Sequence, residues 1–366
     1  MERIKVLVVD DSAFMRKLIQ DFFSENSRFQ VVGTARNGQD AIKKINELKP
    51  DVVTMDIEMP VLNGLEALKF IMRENPVPVV MLSSTTFEGA ENTVQAIQLG
   101  AVDFIAKPSG AISLDLHKIK DELYEKVISA SKVNMKQLVK LPSIGKNGSK
   151  STNNYSKIEP KGVSSNKESI SINWNQSLQK VICIGTSTGG PRALQHVLTK
   201  LPKNLDAPVL VVQHMPPGFT KSLANRLDSL SEISVKEAED GEILKKGTAY
   251  IAPGGYHLKV QKVGTRLAVK IDQTPARNGH RPSVDVMFES ISEINDMAKI
   301  AVVMTGMGSD GSLGLQALKK NGIVKAIAES KETSIVFGMP KAAILTNQID
   351  EVQNVEHIAE SILKYV

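Results

Sequence analysis

Short apolar runs that close on polar or glycine-rich tails, each followed by a helix-like stretch, recur along this chain and constrain its fold more than any other feature. Ile4 to Val9 ends in Asp10-Asp11, Val52 to Met55 in Asp56, Val79 to Leu82 in Ser83-Ser84, and Val102 to Ala106 in Lys107-Pro108. Further on, Val181 to Ile184 runs into Gly185-Thr186-Ser187-Thr188-Gly189-Gly190, Pro208 to Val212 into Gln213-His214, and Ile300 to Met304 into Thr305-Gly306-Met307-Gly308-Ser309-Asp310-Gly311. Uninterrupted apolar runs of this length suit strands covered on both faces, as in parallel sheets. Helical spacing lies between them, as in Phe14, Leu18, Phe22 and in Ile42, Ile45. The first series reads as βα repeated five times. The second adds a hairpin, His257 to Gln261 with Arg266 to Lys270 around Val263-Gly264-Thr265. The fold class is therefore α/β: a (βα)5 unit, then a doubly wound, mostly parallel unit with a small antiparallel addition.

Composition separates the two series. Residues 131 to 177 hold 10 Ser, 7 Asn and 8 Lys among 47 positions, with few apolar groups, as expected of a flexible, solvated linker. The expected domains are 1–125, a linker over 126–177, and 178–366. The 366-residue chain carries a net charge of +5, and the middle segment, with 8 basic against 2 acidic residues, accounts for most of it. A basic linker can contact nucleic acid or anionic lipid, but no aromatic interleaving or recognition helix accompanies this one, so neither nucleic-acid binding nor membrane insertion is expected. One cysteine excludes an internal disulfide framework, and Cys183, inside an apolar run, reads as core. With no run approaching the length of a spanning helix, the expected location is the cytoplasm.

The tail at Ser187 has the Gly-x-Ser-x-Gly form of a nucleophile elbow, in which a strand-to-helix turn lifts the hydroxyl out of the sheet. A phosphate cradle or an ordinary first crossover has the same residue types. A serine needs a base and an orienting acid. His214 follows the next apolar run, where a parallel sheet places its sites, although a lone histidine is often only a loop residue. Asp310 follows a third run, in a loop whose glycines let Met307 present its amide to an oxyanion; the competing role for Asp310 is an N-cap of the helix from Gly311 to Lys320. The order Ser, His, Asp differs from that of α/β-hydrolases.

In the first series, Asp10, Asp11 and Asp56 stand at two strand ends and make an acidic pocket suited to a hard divalent cation. A hydroxyl, Ser83, and a lysine, Lys107, follow at the next two. Each alone reads as a cap or a loop residue; the ordered set does not.

With those residues in place, residues 1 to about 125 resemble a response-regulator receiver domain of flavodoxin-like fold. The resemblance implies Asp56 as phosphoacceptor, Asp10 and Asp11 with Asp56 as Mg2+ ligands, and Ser83, Phe104 and Lys107 as the residues that respond to the phosphoryl group. Through GTSTGG, QHMPPGFT, YIAPGG, HRPSVDV, TGMGSDG and VFGMP, residues 178 to 366 are similar to the catalytic domain of the CheB protein-glutamate methylesterases. That resemblance implies Ser187 as nucleophile, His214 as general base and then acid, Asp310 as orienting carboxylate, and Thr188, Met307 and His280 at the oxyanion site or lining it.

The implied function is a phosphorylation-regulated hydrolase that demethylates glutamate γ-methyl esters and deamidates glutamines on chemotaxis receptors. A chemotaxis histidine kinase would be the phosphodonor, Mg2+ would serve the receiver, and no cofactor would serve ester hydrolysis. Two rivals stand beside it. A DNA-binding response regulator needs a recognition helix, which the strand-rich second unit does not supply. A catalytically silent receptor-docking adaptor is opposed by the intact Ser187, His214 and Asp310.

Overall fold

In the computed structural model of the chain, which describes residues 2–107, 116–135, 138 and 178–366, the apolar runs form two parallel sheets. The first comprises β1 (Ile4–Val9), β2 (Phe29–Ala35), β3 (Val52–Asp56), β4 (Val79–Ser83) and β5 (Asp103–Ala106), in the order β2-β1-β3-β4-β5. Between and after them lie α1 (Ala13–Ser24), α2 (Gly38–Leu48), α3 (Gly64–Glu74), α4 (Phe87–Leu99) and α5 (Leu116–Ala130). Four of these helices begin with a side-chain cap: Ser12, Asn37, Asn63 and Thr86 each accept the amide three residues on. Such caps satisfy donors that the first turn leaves free, and they start each helix a few residues beyond a strand end. The polar strand tails are thereby held together along one edge of the sheet.

Two expectations shift. On α1 the buried side chains are Ile19, Phe22 and Phe23, whereas Phe14, in the first turn, is exposed. The helix α5 continues past residue 125 to Ala130 because Val127 and Ala130 are buried in the same cluster as Phe29 and Ile105. The rest of the expected linker, apart from residues 131–135 and 138, lies outside the described residues.

The second sheet has seven parallel strands in the order β14-β13-β12-β6-β7-β9-β8. They are β6 (Lys180–Thr186), β7 (Val209–Gln213), β8 (Ser234–Glu237), β9 (Thr248–Ile251), β12 (Ala298–Val303), β13 (Ile323–Glu329) and β14 (Glu351–Gln353). The hairpin is β10 (His257–Val263) with β11 (Arg266–Asp272), antiparallel and joined at Gly264-Thr265. Six helices cover the sheet: α6 (Gly190–Leu198), α7 (Phe219–Asp228), α8 (Val284–Ser292), α9 (Ser312–Lys320), α10 (Met339–Leu345) and α11 (Val355–Leu363). Every residue of β6, β7 and β12 is buried, Cys183 among them, as strands covered on both faces require. Burial also pushes the Cys183 thiol far up, as befits core rather than nucleophile.

The two units touch through α4 and β5 of the first and through Leu138. Phe104 stacks on Phe219, ring centroids 4.7 Å apart, and Gln98 Nε2 reaches Gln195 Oε1 at 3.3 Å. Arg192 donates to the Leu138 carbonyl at 2.6 Å.

Candidate active site

The neighbouring strands β12, β6 and β7 deliver Asp310, Ser187 and His214 to one edge of the second sheet. Their crossovers are helical, so all three strands end at that edge, where open α/β sheets carry their sites. Ser187 sits in a turn fixed from three sides: its N–H donates to Thr305 O at 3.0 Å, and its carbonyl accepts Gly190 N at 2.7 Å and Gln213 Nε2 at 3.0 Å. Gly190 must be glycine here, since a Cβ would lie 1.9 Å from Gln213 Oε1 and 2.7 Å from Thr186 Cβ.

His214 Nε2 lies 2.7 Å from Asp310 Oδ2. The other ring nitrogen, Nδ1, is buried and has no hydrogen-bond partner among the described residues. With the proton on Nε2 facing the carboxylate, Nδ1 is the lone pair left for a hydroxyl. His280 lies parallel to His214, ring centroids 3.9 Å apart and planes 10° from coplanar. Burial first, and then the charge of His214, lower the His280 pKa to about 4, so it packs as a neutral ring.

Asp310 is not the N-cap of α9; Gly311 holds that position, with positive φ and no side-chain cap. The carboxylate turns instead to the start of α8. Oδ1 accepts Ser283 Oγ at 2.8 Å, Asp285 N at 2.9 Å and Gly311 N at 3.1 Å; Oδ2 accepts Val284 N at 2.7 Å beside His214. Burial works against this charge. The hydrogen bond and charge of His214 and the amides of Asp285 and Val284 outweigh it and hold the acid well below the usual carboxylate range.

The expected oxyanion residues divide. Met307 is half-buried in the loop after Thr305, and its N–H takes no part in the bonds by which Gly306 ties that loop to Val336, Gly338 and Met339. The Thr188 hydroxyl instead donates to Asp103 Oδ2 of the first unit at 2.5 Å. Its side chain is thus a contact between units, because β5 lies against the turn, and the oxyanion expectation for Thr188 rests on its backbone N–H.

Asp285 and Glu329 are buried carboxyls at this edge to which the sequence reading assigned nothing. Glu329 ends β13 and accepts Thr305 N at 2.7 Å and Thr333 Oγ1 at 3.0 Å; burial raises its pKa to about 7. Ser283-Val284-Asp285 carries a cap signature, a serine N-cap with an acid in the first turn, that points to Asp285, whereas Glu329 has no local signal.

In the first unit Asp10, Asp11 and Asp56 each offer a carboxylate oxygen, all within 4.8 Å of one another. Lys107 Nζ lies 2.6 Å from Asp56 and 3.0 Å from Asp10. Burial raises the Asp56 pKa to about 6, with Lys107 opposing and Asp10 adding. For Lys107 burial disfavours the charge, but Asp56 and Asp10 prevail and the pKa rises. Three hard oxygens around a carboxyl that resists ionisation fit a divalent cation such as Mg2+. The Ser83 hydroxyl is buried and donates to Gly89 O at 2.9 Å, tied to α4. Phe104 lies against Phe219, with Lys126 Nζ 4.9 Å from its ring centre.

Residues 182–362 match the model of the CheB methylesterase family, and residues 6–117 that of the response regulator receiver domain. A protein-glutamate methylesterase/protein-glutamine glutaminase of Geobacillus kaustophilus is 57% identical over 366 residues, covering 100% of this chain and 99% of its own. One of the same name from Bacillus subtilis is 50% identical over 365 residues, covering 99% and 98%. The crystal structure of the Thermotoga maritima CheB methylesterase catalytic domain is 48% identical and covers 51% of this chain and 98% of its own, with a TM-score of 0.49. Among the described residues no helix is long and apolar enough to cross a membrane. On matches that run end to end, the chain belongs to the CheB methylesterase family, a receiver domain preceding the methylesterase domain.

Proposed function

We propose that this chain hydrolyses glutamate γ-methyl esters and glutamine amides on chemotaxis receptors through Ser187, His214 and Asp310, under control of phosphorylation at Asp56. The observation that carries the reading is the 2.7 Å contact of His214 Nε2 with a fully hydrogen-bonded Asp310, which leaves Nδ1 free at the edge where Ser187 stands. Ser187 Oγ attacks the ester carbonyl while Nδ1 takes its proton, and the Met307 amide donates to the developing oxyanion. Methanol, or ammonia from an amide, leaves with that proton. Water activated at the same nitrogen then splits the acyl-enzyme. Asp310 stays ionised throughout and fixes the tautomer.

In the receiver domain Asp10, Asp11 and Asp56 would hold Mg2+, which when bound neutralises the acid cluster and screens the incoming phosphoryl group. Asp56 then accepts the phosphoryl group from the chemotaxis histidine kinase, and Lys107 counters its charge. Regulation runs through the contact between units: Asp103 holds the hydroxyl of the residue after the nucleophile, and Phe104 stacks on the first residue of α7, five beyond His214. Phosphorylation shifts the population toward an undocked form that admits the receptor. We take 178–366 as the catalytic domain and residues up to Ala130 as the receiver. The test is release of labelled methanol from methylated receptor with and without phosphodonor. Release that survives Ser187→Ala at the wild-type rate would defeat the assignment.

A further inference from the structure

The starts of α8 and α9 exchange aspartates. Asp310, just before α9, accepts the amides of Val284 and Asp285 at the start of α8. Asp285 Oδ1, in α8, accepts Gly311 N at 2.9 Å and Gly314 N at 2.7 Å at the start of α9. The crossing is close because residue 314 is glycine: a Cβ there would lie 2.9 Å from Asp285 Cα and 2.6 Å from Phe288 Cβ. Each carboxyl thus occupies the positive end of the other's helix. They differ in one respect. Both oxygens of Asp310 are satisfied, whereas Asp285 Oδ2 is buried with no partner among the described residues.

Resting on the triad reading above, we propose that Asp285 is a positioning residue for the triad: its Oδ1 locks the Gly311–Gly314 turn that aims Asp310 at His214. Burial is the main reason the Asp285 acid is raised to about 6, and the charges of Asp310 and Glu289 push the same way while the Gly314 and Gly311 amides oppose. Around it, Arg277 is taken up by Glu289 at 3.0 Å, His214 faces Asp310, and His280 stacks on His214. Once Asp285 ionises, a second negative charge favours the protonated imidazole and so opposes its service as base.

The test uses the full chain, phosphorylated, with methylated receptor membranes. Asp285→Ala frees the turn and is expected to lower kcat about thirtyfold or more at little-changed KM, as loss of orientation does. Asp285→Asn keeps an acceptor for Gly311 and Gly314 but cannot ionise, so it is expected to retain kcat within about threefold. Its acid limb should lie about one pH unit below that of the wild type, the reach of one neighbouring charge. A merely structural role would lower the yield of folded protein and leave that limb in place. An Asp285→Asn profile superimposable on wild type, or an Asp285→Ala variant with wild-type kcat, would overturn the proposal. Ser187→Ala and Asp310→Asn run alongside: full turnover in those two overturns the triad reading itself, whatever the Asp285 variants do.

Discussion

Asp56 and Asp310 stand at equivalent places, just inside and just beyond the carboxyl end of a parallel strand, and their environments push them in opposite directions. Asp56 shares its pocket with Asp10 and Asp11, has Lys107 beside it, and burial leaves its pKa raised to about 6. Asp310 is as deeply buried, yet amides, a hydroxyl and an imidazole satisfy both its oxygens and keep it ionised. The difference lies in the donors, not in burial. Asp56 is left with spare lone pairs and crowded by like charge, which suits the proposed phosphoacceptor. Asp310 is saturated, which suits the proposed partner of an imidazole.

The strongest test of that contrast is at the triad. Ser187→Ala is expected to reduce methanol release by about 10⁴-fold or more, since it removes the attacking atom. Asp310→Asn is expected to cost about as much for a different reason: an amide presents N–H to donors already aimed at it and no longer selects the tautomer with Nδ1 free. The two losses should not add in the double mutant, because the three residues act together. Full additivity, measured by single-turnover assay, would show that Asp310 works elsewhere.

At the other aspartate the expected outcome is loss of a modification rather than of a rate. A small phosphodonor with magnesium should label the wild type at Asp56, and Asp56→Asn should abolish labelling while leaving basal esterase activity as it was. Undiminished labelling of that variant would place the acceptor on another residue.

How far these sites were legible follows from the same chemistry. Strand interiors that are buried on both faces announce themselves as apolar runs, and the polar tails of β1, β3, β4, β5, β6 and β7 mark their ends, so Asp10, Asp56, Lys107, Ser187 and His214 could be placed before the fold was known. The edge strands β8 (SVKE) and β14 (EVQ) carry no such signal, because a strand that faces solvent needs no apolar run. Side-chain direction was equally hidden. Nothing local tells that Asp310 serves α8 rather than α9, that the Thr188 hydroxyl faces the receiver, or that Glu329 supports Thr305; each depends on which helix or strand packs alongside. The last turn of α5, beyond residue 125, carries no local signal either, since the burial of Val127 and Ala130 is set by the sheet they cover.

A smaller effect is expected where the two domains meet. Phe104→Ala removes the stack on Phe219 and part of the apolar contact behind it, worth about 1 to 2 kcal/mol, and so should raise the unphosphorylated rate about tenfold. A fragment of residues 178–366, which loses every contact with the receiver, should show at least as large a rise, and phosphodonor should add little to the variant. Basal activity unchanged in both would mean that the receiver recruits or activates rather than covers.

The last effect is one of stability rather than rate, and it turns on Glu329, another buried carboxyl, with fewer donors than Asp310 and the charge of Glu356 acting on it. Its oxygens accept Thr305 N and Thr333 Oγ1, and burial outweighs both bonds to lift the pKa from 4.5 to about 7. The folded protein therefore holds this proton more tightly than the unfolded chain does. The stability it contributes is complete below about pH 4.5 and is lost as pH rises through 7; a rise of that size corresponds to about 3 kcal/mol. Glu329→Gln keeps an acceptor for the Thr305 amide without the titration. Urea denaturation at several pH values should show wild-type stability falling across the window from 4.5 to 7 relative to the variant, with the two curves parallel outside it. Parallel curves inside the window would mean that Glu329 stays ionised, and that its two hydrogen bonds, like the five of Asp310, suffice to carry a buried charge.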